Sequence, residues 1–360
     1  MGLQSISEIL KALGSTAQIR STRGVVCIIL DDPTVKGVHT YTGLKSVSDS
    51  YSTANMAIIT RCFNKYGVNK LIVATFNSAA TPTAETISTA LTNLTNVKFN
   101  YLACPTIATS ADNATVFTFI QTQRTANSMF VKAVLNGQVA DFEGVINFIN
   151  VSATLDSVTY SGYEFCVDVA CKLAITALDS SITNDTISGL TVVDNVGADL
   201  DALVDAGNLF LFYDYDLDEI VFSRGVNSKT TLATGEKAEL KKIRIIDTFD
   251  MVRDDLRTAW KTGYQGKIDN SLANKRLLVS AYNLYLRTLV QQGVLSDSNT
   301  SYVELDVAAT RAYAQSLNID TSTMTDTQVL NIDTGTNVFI TGKLYPLDCM
   351  EDLALVLNYN

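Results

Sequence analysis

The sequence predicts an α/β fold in which helices cover a largely parallel sheet, and three observations support this. Uninterrupted apolar runs recur along the chain, the first being Val25–Leu30, as is typical of strands covered on both faces. Segments with apolar residues three and four positions apart lie between them, as in Ala84–Leu94, and predict amphipathic helices. The two kinds alternate up to about residue 235, which favours parallel strands joined by helical crossovers.

The elements of this first part follow in order. The first predicted strand, Val25–Leu30, ends at Asp31-Asp32-Pro33. The later predicted strands are Leu71–Phe76, Phe99–Cys104, Phe130–Leu135, Val145–Asn150, Leu209–Tyr213 and Glu219–Phe222. The predicted helices are Ala84–Leu94, Thr115–Gln123, Gly162–Ala177 and Asp199–Ala206. The last two strands flank the acidic segment Asp214–Asp218. It lacks the central glycine and distal glutamate of an EF-hand, so a solvated turn is predicted there rather than a calcium loop.

The pattern becomes mainly helical from about residue 236. Asn270–Gln292 contains neither glycine nor proline and is followed by Gly293, which predicts one long helix with a glycine stop. Its predicted core-facing stripe is Leu278, Tyr282, Tyr285 and Leu289, and its polar stripe is Arg276, Ser280, Asn283 and Arg287. The remaining predictions are a hairpin of Asn337–Thr341 and Lys343–Pro346 around Gly342 and a last strand, Leu353–Leu357.

The charge is unevenly distributed along the chain. The net charge is -10, which argues against a general nucleic-acid binder. Residues 241–292 carry 10 Lys and Arg against 5 Asp and Glu, whereas the flanking segments 1–240 and 293–360 are both acidic. Within the basic segment, Lys267, Lys275, Arg276 and Arg287 have no acidic residue four positions away. They are therefore predicted to be available to an acidic partner surface.

The residue inventory predicts no catalytic, cofactor or metal site. The chain has one histidine, His39, which we place in a loop, and no GxSxG, GxxxxGK[ST] or GxGxxG motif. The six cysteines form no CxxC pair, and we expect them to be reduced core residues. Adjacent carboxylates such as Asp31-Asp32 are expected in turns or caps. Neither a membrane span nor a signal peptide is predicted, so we expect the protein to be made and kept in the cytoplasm until something else releases it.

Several stretches resemble the contractile tail sheath protein family. Ser223–Thr231 is similar to a turn that follows a strand in that family, and Lys241–Asp247 follows it as in the family. Tyr345–Asp352 resembles the signature that precedes the family's C-terminal strand, and Arg20–Val26 resembles its opening in phage-derived elements of Gram-positive bacteria. The resemblance covers residues 190–360 and 1–30 and rests on architecture alone in between. It implies a subtilisin-like middle domain without protease chemistry.

The resemblance also implies a domain organisation. The expected parts are an N-terminal arm (1–23), a small α/β domain (24–100), a subtilisin-like α/β domain (101–235), an α+β C-terminal assembly domain (236–352) and a C-terminal strand (353–360). In the family such arms and strands pair with the C-terminal domains of neighbouring subunits. The residues expected to do so here are Leu3, Ile6, Ile9, Leu353, Leu355 and Leu357.

The function implied is structural. The family forms six-subunit rings stacked helically around an inner tube, and contraction drives that tube through a cell envelope. Implied partners are further copies, the tube protein, and baseplate and tail-terminator proteins, without nucleic acid or membrane insertion; Lys267, Lys275, Arg276 and Arg287 are the expected tube contacts. Assembly in the bacterial host cytoplasm is expected, and a phage, an R-type bacteriocin and another injection system all remain open. The alternatives are a subtilisin-like hydrolase and another self-assembling shell protein.

Overall fold

A computed structural model describes residues 24–106 and 109–357. The chain divides into two compact units. Within the described residues, the first, called here the sheet unit, comprises 24–106, 109–247 and 349–357. The second, the helical unit, comprises Thr248–Asp348. The expected N-terminal arm, residues 1–23, lies outside the described residues.

A seven-stranded sheet forms the centre of the sheet unit. Its strands are β1 (Val25–Asp31), β2 (Gly37–Tyr41), β3 (Lys70–Phe76), β4 (Tyr101–Ala103), β5 (Lys132–Asn136), β6 (Val145–Phe148) and β10 (Asn208–Leu209). Their spatial order is β10-β6-β5-β4-β1-β3-β2, and β2 alone among these is antiparallel, through its pairing with β3. The predicted largely parallel α/β sheet is thereby confirmed.

Helices cover both faces of this sheet. They are α1 (Thr53–Asn64), α2 (Ile87–Asn93), α3 (Ser110–Thr125) and α4 (Gly162–Ile175). A shorter helix, α5 (Leu200–Asp205), precedes β10 and has no buried residue. Alternate residues of β1 enter two different cores, Ile28 with α4 on one face and Ile29 with α2 and α3 on the other. Burial on both faces explains the uninterrupted apolar run, because neither side of the strand meets water.

Asp32 ties the end of β1 to the start of α1. Its buried carboxylate accepts hydrogen bonds from the backbone of Thr34, Val35 and Ser52 and from the side chain of Asn55. Burial raises the pKa of this carboxyl, but the hydrogen bonds outweigh that effect and hold the pKa well below its usual range. Asp32 is therefore a structural turn residue, as the sequence predicts.

Two smaller sheets complete the sheet unit. The strands β7 (Ser152–Leu155), β8 (Val158–Ser161) and β9 (Leu190–Val193) form an antiparallel sheet in the order β8-β7-β9. The strands β11 (Leu211–Asp214) and β12 (Glu219–Phe222) form the predicted hairpin around the acidic turn. The β7–β9 sheet is not among the predicted elements.

The helical unit is built around one long helix. Its elements are α6 (Ile243–Ala259, which begins in the sheet unit), a π-helical turn (Trp260–Tyr264), α7 (Leu272–Gln291), β13 (Tyr302–Leu305), α8 (Val307–Ser316), α9 (Asp326–Leu330) and β14 (Ile340–Lys343). The predicted apolar stripe of α7 is buried in full. Asn283 was predicted in the polar stripe, but it attaches α7 to β13. Its Nδ2 donates a hydrogen bond to the Val303 carbonyl and its Oδ1 accepts one from the Val303 N–H, each at 2.9 Å.

The predicted domain boundaries differ from the observed units. Residues 24–100 and 101–235 are not separate, because β4 pairs with β1 and with β5 in one sheet. The two compact units divide between Asp247 and Thr248, inside α6. The C-terminal segment from Cys349 groups with the sheet unit. The sequence could not show that residues 24–100 and 101–235 share one sheet, because each strand has the same apolar pattern whichever strands it pairs with.

Two predictions for the C-terminal part are wrong for the single chain. Gly342 does not turn a hairpin; it lies inside β14, paired with Val303 of β13 in an antiparallel register. Leu353–Leu357 forms neither strand nor helix. A strand requires a neighbour to accept its hydrogen bonds, and this segment has none among the described residues.

Candidate functional site

The last described residues expose a series of large apolar side chains. The exposed fractions are 86% for Leu353, 66% for Leu355, 80% for Val356 and 79% for Leu357. Burial of one such side chain typically stabilises a folded protein by about 1.5–3 kcal/mol. These exposed side chains do not contribute that free energy in the single chain. A cluster of such residues in water is typical of an interaction surface.

Glu351, two residues before this segment, is firmly held. Its side chain is 5% exposed, and its Oε2 atom lies 2.8 Å from Lys242 Nζ and 3.6 Å from Arg224 Nε. Its Oε1 atom accepts hydrogen bonds from Thr183 Oγ1 at 2.7 Å and from Ser181 Oγ at 3.3 Å. We call Glu351 and these four partners the clasp. The clasp fixes the start of the exposed segment to its own sheet unit.

The clasp joins stretches of sequence that the motif analysis quoted separately. Arg224 follows β12, Lys242 precedes α6, and Glu351 belongs to the C-terminal signature. The backbone N–H of Gly225 donates to Thr183 Oγ1 at 3.0 Å, which places the loop after α4 beside the turn. Sequence reasoning found the three motifs but neither their contact nor Ser181 and Thr183, for which the sequence offers no signal.

The helical unit offers one open sheet edge. Strands β13 and β14 pair only with each other among the described residues. Asn283 of α7 bonds both backbone groups of Val303 on the outer side of β13, so the edge of β14 is the one left without a partner strand. Unpaired backbone donors and acceptors at such an edge readily accept a further strand.

The four cations expected to contact a partner differ in exposure. Lys267, Arg276 and Arg287 are exposed, although Lys267 Nζ donates to the carbonyl of Thr262. Lys275 is only 7% exposed, and its Nζ donates to Thr334 Oγ1 at 2.8 Å. Lys275 is therefore not available on the surface of the chain. Lys275 is buried and Arg276 is exposed because successive residues of a helix point about 100° apart, so the two lie on different faces of α7.

The single histidine does not form a catalytic constellation. His39 lies in β2 rather than in the predicted loop; its Nδ1 is 3.2 Å from Asp49 and its Nε2 is 2.9 Å from the carbonyl oxygen of Lys36. Among the described residues no serine or cysteine hydrogen-bonds to it. The tyrosine rings of Tyr41 and Tyr51 lie beside it instead.

Most of the cysteine side chains lie in the two cores of the sheet unit. Five of the six cysteines are buried, and burial raises the pKa of the Cys27, Cys166 and Cys171 thiols. Within residues 24–106 and 109–357, no group of histidine, cysteine, aspartate or glutamate side chains has the geometry to hold a metal ion. Nor does any helix there have the length and hydrophobicity to cross a membrane.

Comparison with known families matches three-quarters of the chain. The description "Phage tail sheath protein central domain" matches residues 80–228, and "Phage tail sheath C-terminal domain" matches residues 236–357. The tail sheath protein of Clostridium phage phiCD119 is 32% identical over 368 aligned residues, which cover 98% of each chain.

Solved structures share the fold. A sheath tail protein from Listeria innocua superposes with a TM-score of 0.71 at 14% identity, covering 95% of this chain and 100% of that one. A sheath tail protein from Desulfitobacterium hafniense gives 0.69 at 16% identity, covering 91% and 94%. A chain from the baseplate of the anti-feeding prophage gives 0.66 at 12% identity, covering 94% of each.

Proposed function

The chain belongs to the phage tail sheath family, and on that premise we propose that it polymerises helically around an inner tail tube and contracts to drive the tube through a target cell envelope. The family consists of structural proteins, so the chain is a structural component of a phage-type tail and not an enzyme. The hydrolase alternative is thereby set aside.

The clasped, exposed C-terminal segment is the observation that carries the proposal. In an extended conformation Leu353, Leu355 and Leu357 point to one side. Paired with the open edge of β14 in a neighbouring copy, the segment gains main-chain hydrogen bonds and buries these leucines. The clasp keeps the segment attached to its own sheet unit while it pairs with that neighbour.

This contact joins two different surfaces of identical chains. A heterologous contact of this kind does not close on itself in pairs but builds rings or helical filaments. We propose stacked six-subunit rings, with residues 1–23 and their apolar Leu3, Ile6 and Ile9 as the second connection. Because the strand pairing is held through the clasp, subunit bodies can change their packing during contraction without separating.

The exposed cations are the proposed tube contacts. Lys267, Arg276 and Arg287 are exposed, whereas the buried Lys275 is omitted from this set. Exposed ion pairs contribute about 0–1 kcal/mol each, which suits a contact that must release on contraction. Baseplate and tail-terminator proteins are the proposed partners at the sheath ends, and assembly is proposed to take place in the host cytoplasm.

Truncation tests the proposed strand donor. A chain ending at Asp352 keeps the clasp but lacks residues 353–360, so we expect an unchanged melting temperature and a species that stays monomeric in sedimentation velocity. A chain ending at Leu357 is the matched control and should assemble as the full chain does. Normal sheaths from the chain ending at Asp352 would refute the assignment.

A further inference from the structure

The open edge of β14 presents the backbone groups of alternate residues. Asn283 bonds the N–H and the carbonyl of Val303 from the outer side of β13, so these two groups point away from β14. Val303 pairs with Gly342 in an antiparallel register. In such a pair the backbone groups of both residues point outward, so those of Gly342 point to the open edge. The same holds for Ile340, which pairs with Leu305 two residues further along.

Hydrogen bonds at both ends of β14 agree with this alternation. The N–H of Asp306, directly after β13, donates to the Phe339 carbonyl at 3.0 Å. The N–H of Tyr345 donates to Oγ of Ser301, directly before β13, at 2.9 Å. Odd-numbered residues thus bond towards β13, and Leu344, like the even-numbered residues of β14, is turned to the open edge.

The two faces of the β13–β14 sheet differ in polarity. Side chains alternate between the faces along each strand, and paired residues share a face. The apolar face carries Val303, Leu305, Ile340, Gly342 and Leu344. The polar face carries Tyr302, Glu304, Thr341 and Lys343, of which the last three are exposed. A strand that joins this edge is therefore stabilised when its own apolar side chains continue the apolar face.

Gly342 leaves a gap in the apolar face. The residue is exposed and lies between the half-buried Ile340 and Leu344. A Cβ atom at Gly342 would lie 2.3 Å from the Tyr302 carbonyl oxygen and 2.9 Å from Cγ1 of Val303, so only glycine allows the two strands to pair this closely. On the open side, a glycine in a strand also lets another chain approach closely. A large side chain placed opposite it can contact Val303 across the glycine.

The exposed segment Leu353–Leu357 matches this edge in length and pattern. Its three leucines repeat with the period of a strand, as do the outward residues of the edge. With Leu355 opposite Gly342, the other two leucines lie opposite Ile340 and Leu344, whether the strands run parallel or antiparallel. A shift by one residue would turn every leucine to the polar face. A shift by two would place Leu355 against a large side chain and leave one leucine beyond these three edge residues.

We propose that Leu355 of one copy lies opposite Gly342 of a neighbouring copy and that this pair determines the register of the exchanged strand. The inference rests on the proposed sheath function and adds to it the residues that specify the contact. In this register the three leucines continue the apolar face, and Leu355 contacts Val303 across the glycine. Ala354 and Val356 lie on the polar side.

Disulfide trapping tests the register. Directly opposite residues of paired strands have Cα atoms about 5 Å apart, whereas residues two positions further along exceed the limit of roughly 7 Å for a disulfide. Two variants of the full chain, each with one new cysteine, are mixed, assembled and oxidised, and linked dimers are counted by non-reducing electrophoresis. Both variants carry Cys349→Ser, which removes the cysteine that is not buried.

The pattern of linkage identifies the register. Leu353→Cys and Leu357→Cys should each link to a different one of Ile340→Cys and Leu344→Cys, because these residues are opposite each other in the proposed register. Leu355→Cys should link to neither. Linkage of Leu355→Cys to either position would overturn the register and leave strand exchange standing. No linkage in any pair would overturn strand exchange itself, and the register with it.

Truncation of single side chains separates recognition from folding. Leu355 and Val356 are both exposed in the single chain, so Leu355→Ala and Val356→Ala should leave the melting temperature unchanged. Leu355→Ala should raise the critical concentration for assembly, measured by sedimentation, about thirtyfold, because a leucine is lost from an enclosed contact. Val356→Ala, on the polar side, is the matched control and should raise it less than about threefold. Equal effects of the two substitutions would contradict the assigned faces and hence the proposal.

Discussion

Glu351 shows how one residue connects folding with assembly. A buried carboxylate is costly unless it is paired and hydrogen-bonded, and this one has two cations and two hydroxyls around it. Asp352, the next residue, has a side chain that is 80% exposed and pairs with Arg224 at the surface. Adjacent acidic residues thus have different roles, set by their burial.

Replacement of Glu351 should release the C-terminal segment. Glu351→Ala removes the charge-assisted hydrogen bonds of the clasp, so we expect the free energy of unfolding in urea to fall by about 2 kcal/mol. Amide exchange of residues 349–352 should accelerate as well. Asp352→Asn is the matched control and should change stability by no more than about 0.5 kcal/mol. Equal stability of Glu351→Ala and wild type would contradict the structural role of the clasp.

At the scale of the element, α7 combines a buried and an exposed face. Its apolar stripe packs inside the helical unit, while Arg276 and Arg287 are exposed. The buried face of α7 therefore serves to stabilise the fold of the helical unit. The exposed face remains available for the proposed tube contact.

Charge reversal on this face tests the tube contact. We expect Arg276→Glu with Arg287→Glu to leave self-assembly unchanged and to lower affinity for tube polymers about tenfold at low ionic strength. High salt should reduce the difference, because exposed charges are screened. Lys36→Glu with Lys237→Glu changes the net charge equally in the sheet unit and should have no effect. Unaltered co-sedimentation of the α7 variant with the tube would reject this helix as the contact.

Elements with a clear local pattern were predictable. The runs that became β1 and β3 are buried on both faces, and α7 keeps one apolar stripe over its whole length. The helix α1 was missed, although Ser52 accepts a hydrogen bond from the Asn55 N–H as its N-cap, a signal that the sequence does contain.

The remaining differences arise from long-range contacts. Whether Lys275 is buried depends on the loop that carries Thr334, 59 residues away. The clasp likewise joins Thr183 to Glu351 across 168 residues. Local periodicity contains no information about either contact, so the sequence predicted the residue types and motifs but not which of them meet.

The whole molecule combines an acidic net charge with a strongly apolar C-terminal end. A net charge of -10 keeps separate copies apart at long range. The exposed leucines favour association once two chains meet. This balance suits the proposed polymerisation of the chain.

Negative-stain electron microscopy of the purified full-length chain, alone and with the tube protein, is the direct test of helical polymerisation. We expect hollow, ridged tubes of uniform diameter, formed by the chain alone or around added tube polymers. Small monodisperse particles under both conditions, at concentrations well above those in an infected cell, would contradict helical polymerisation as the function of this chain.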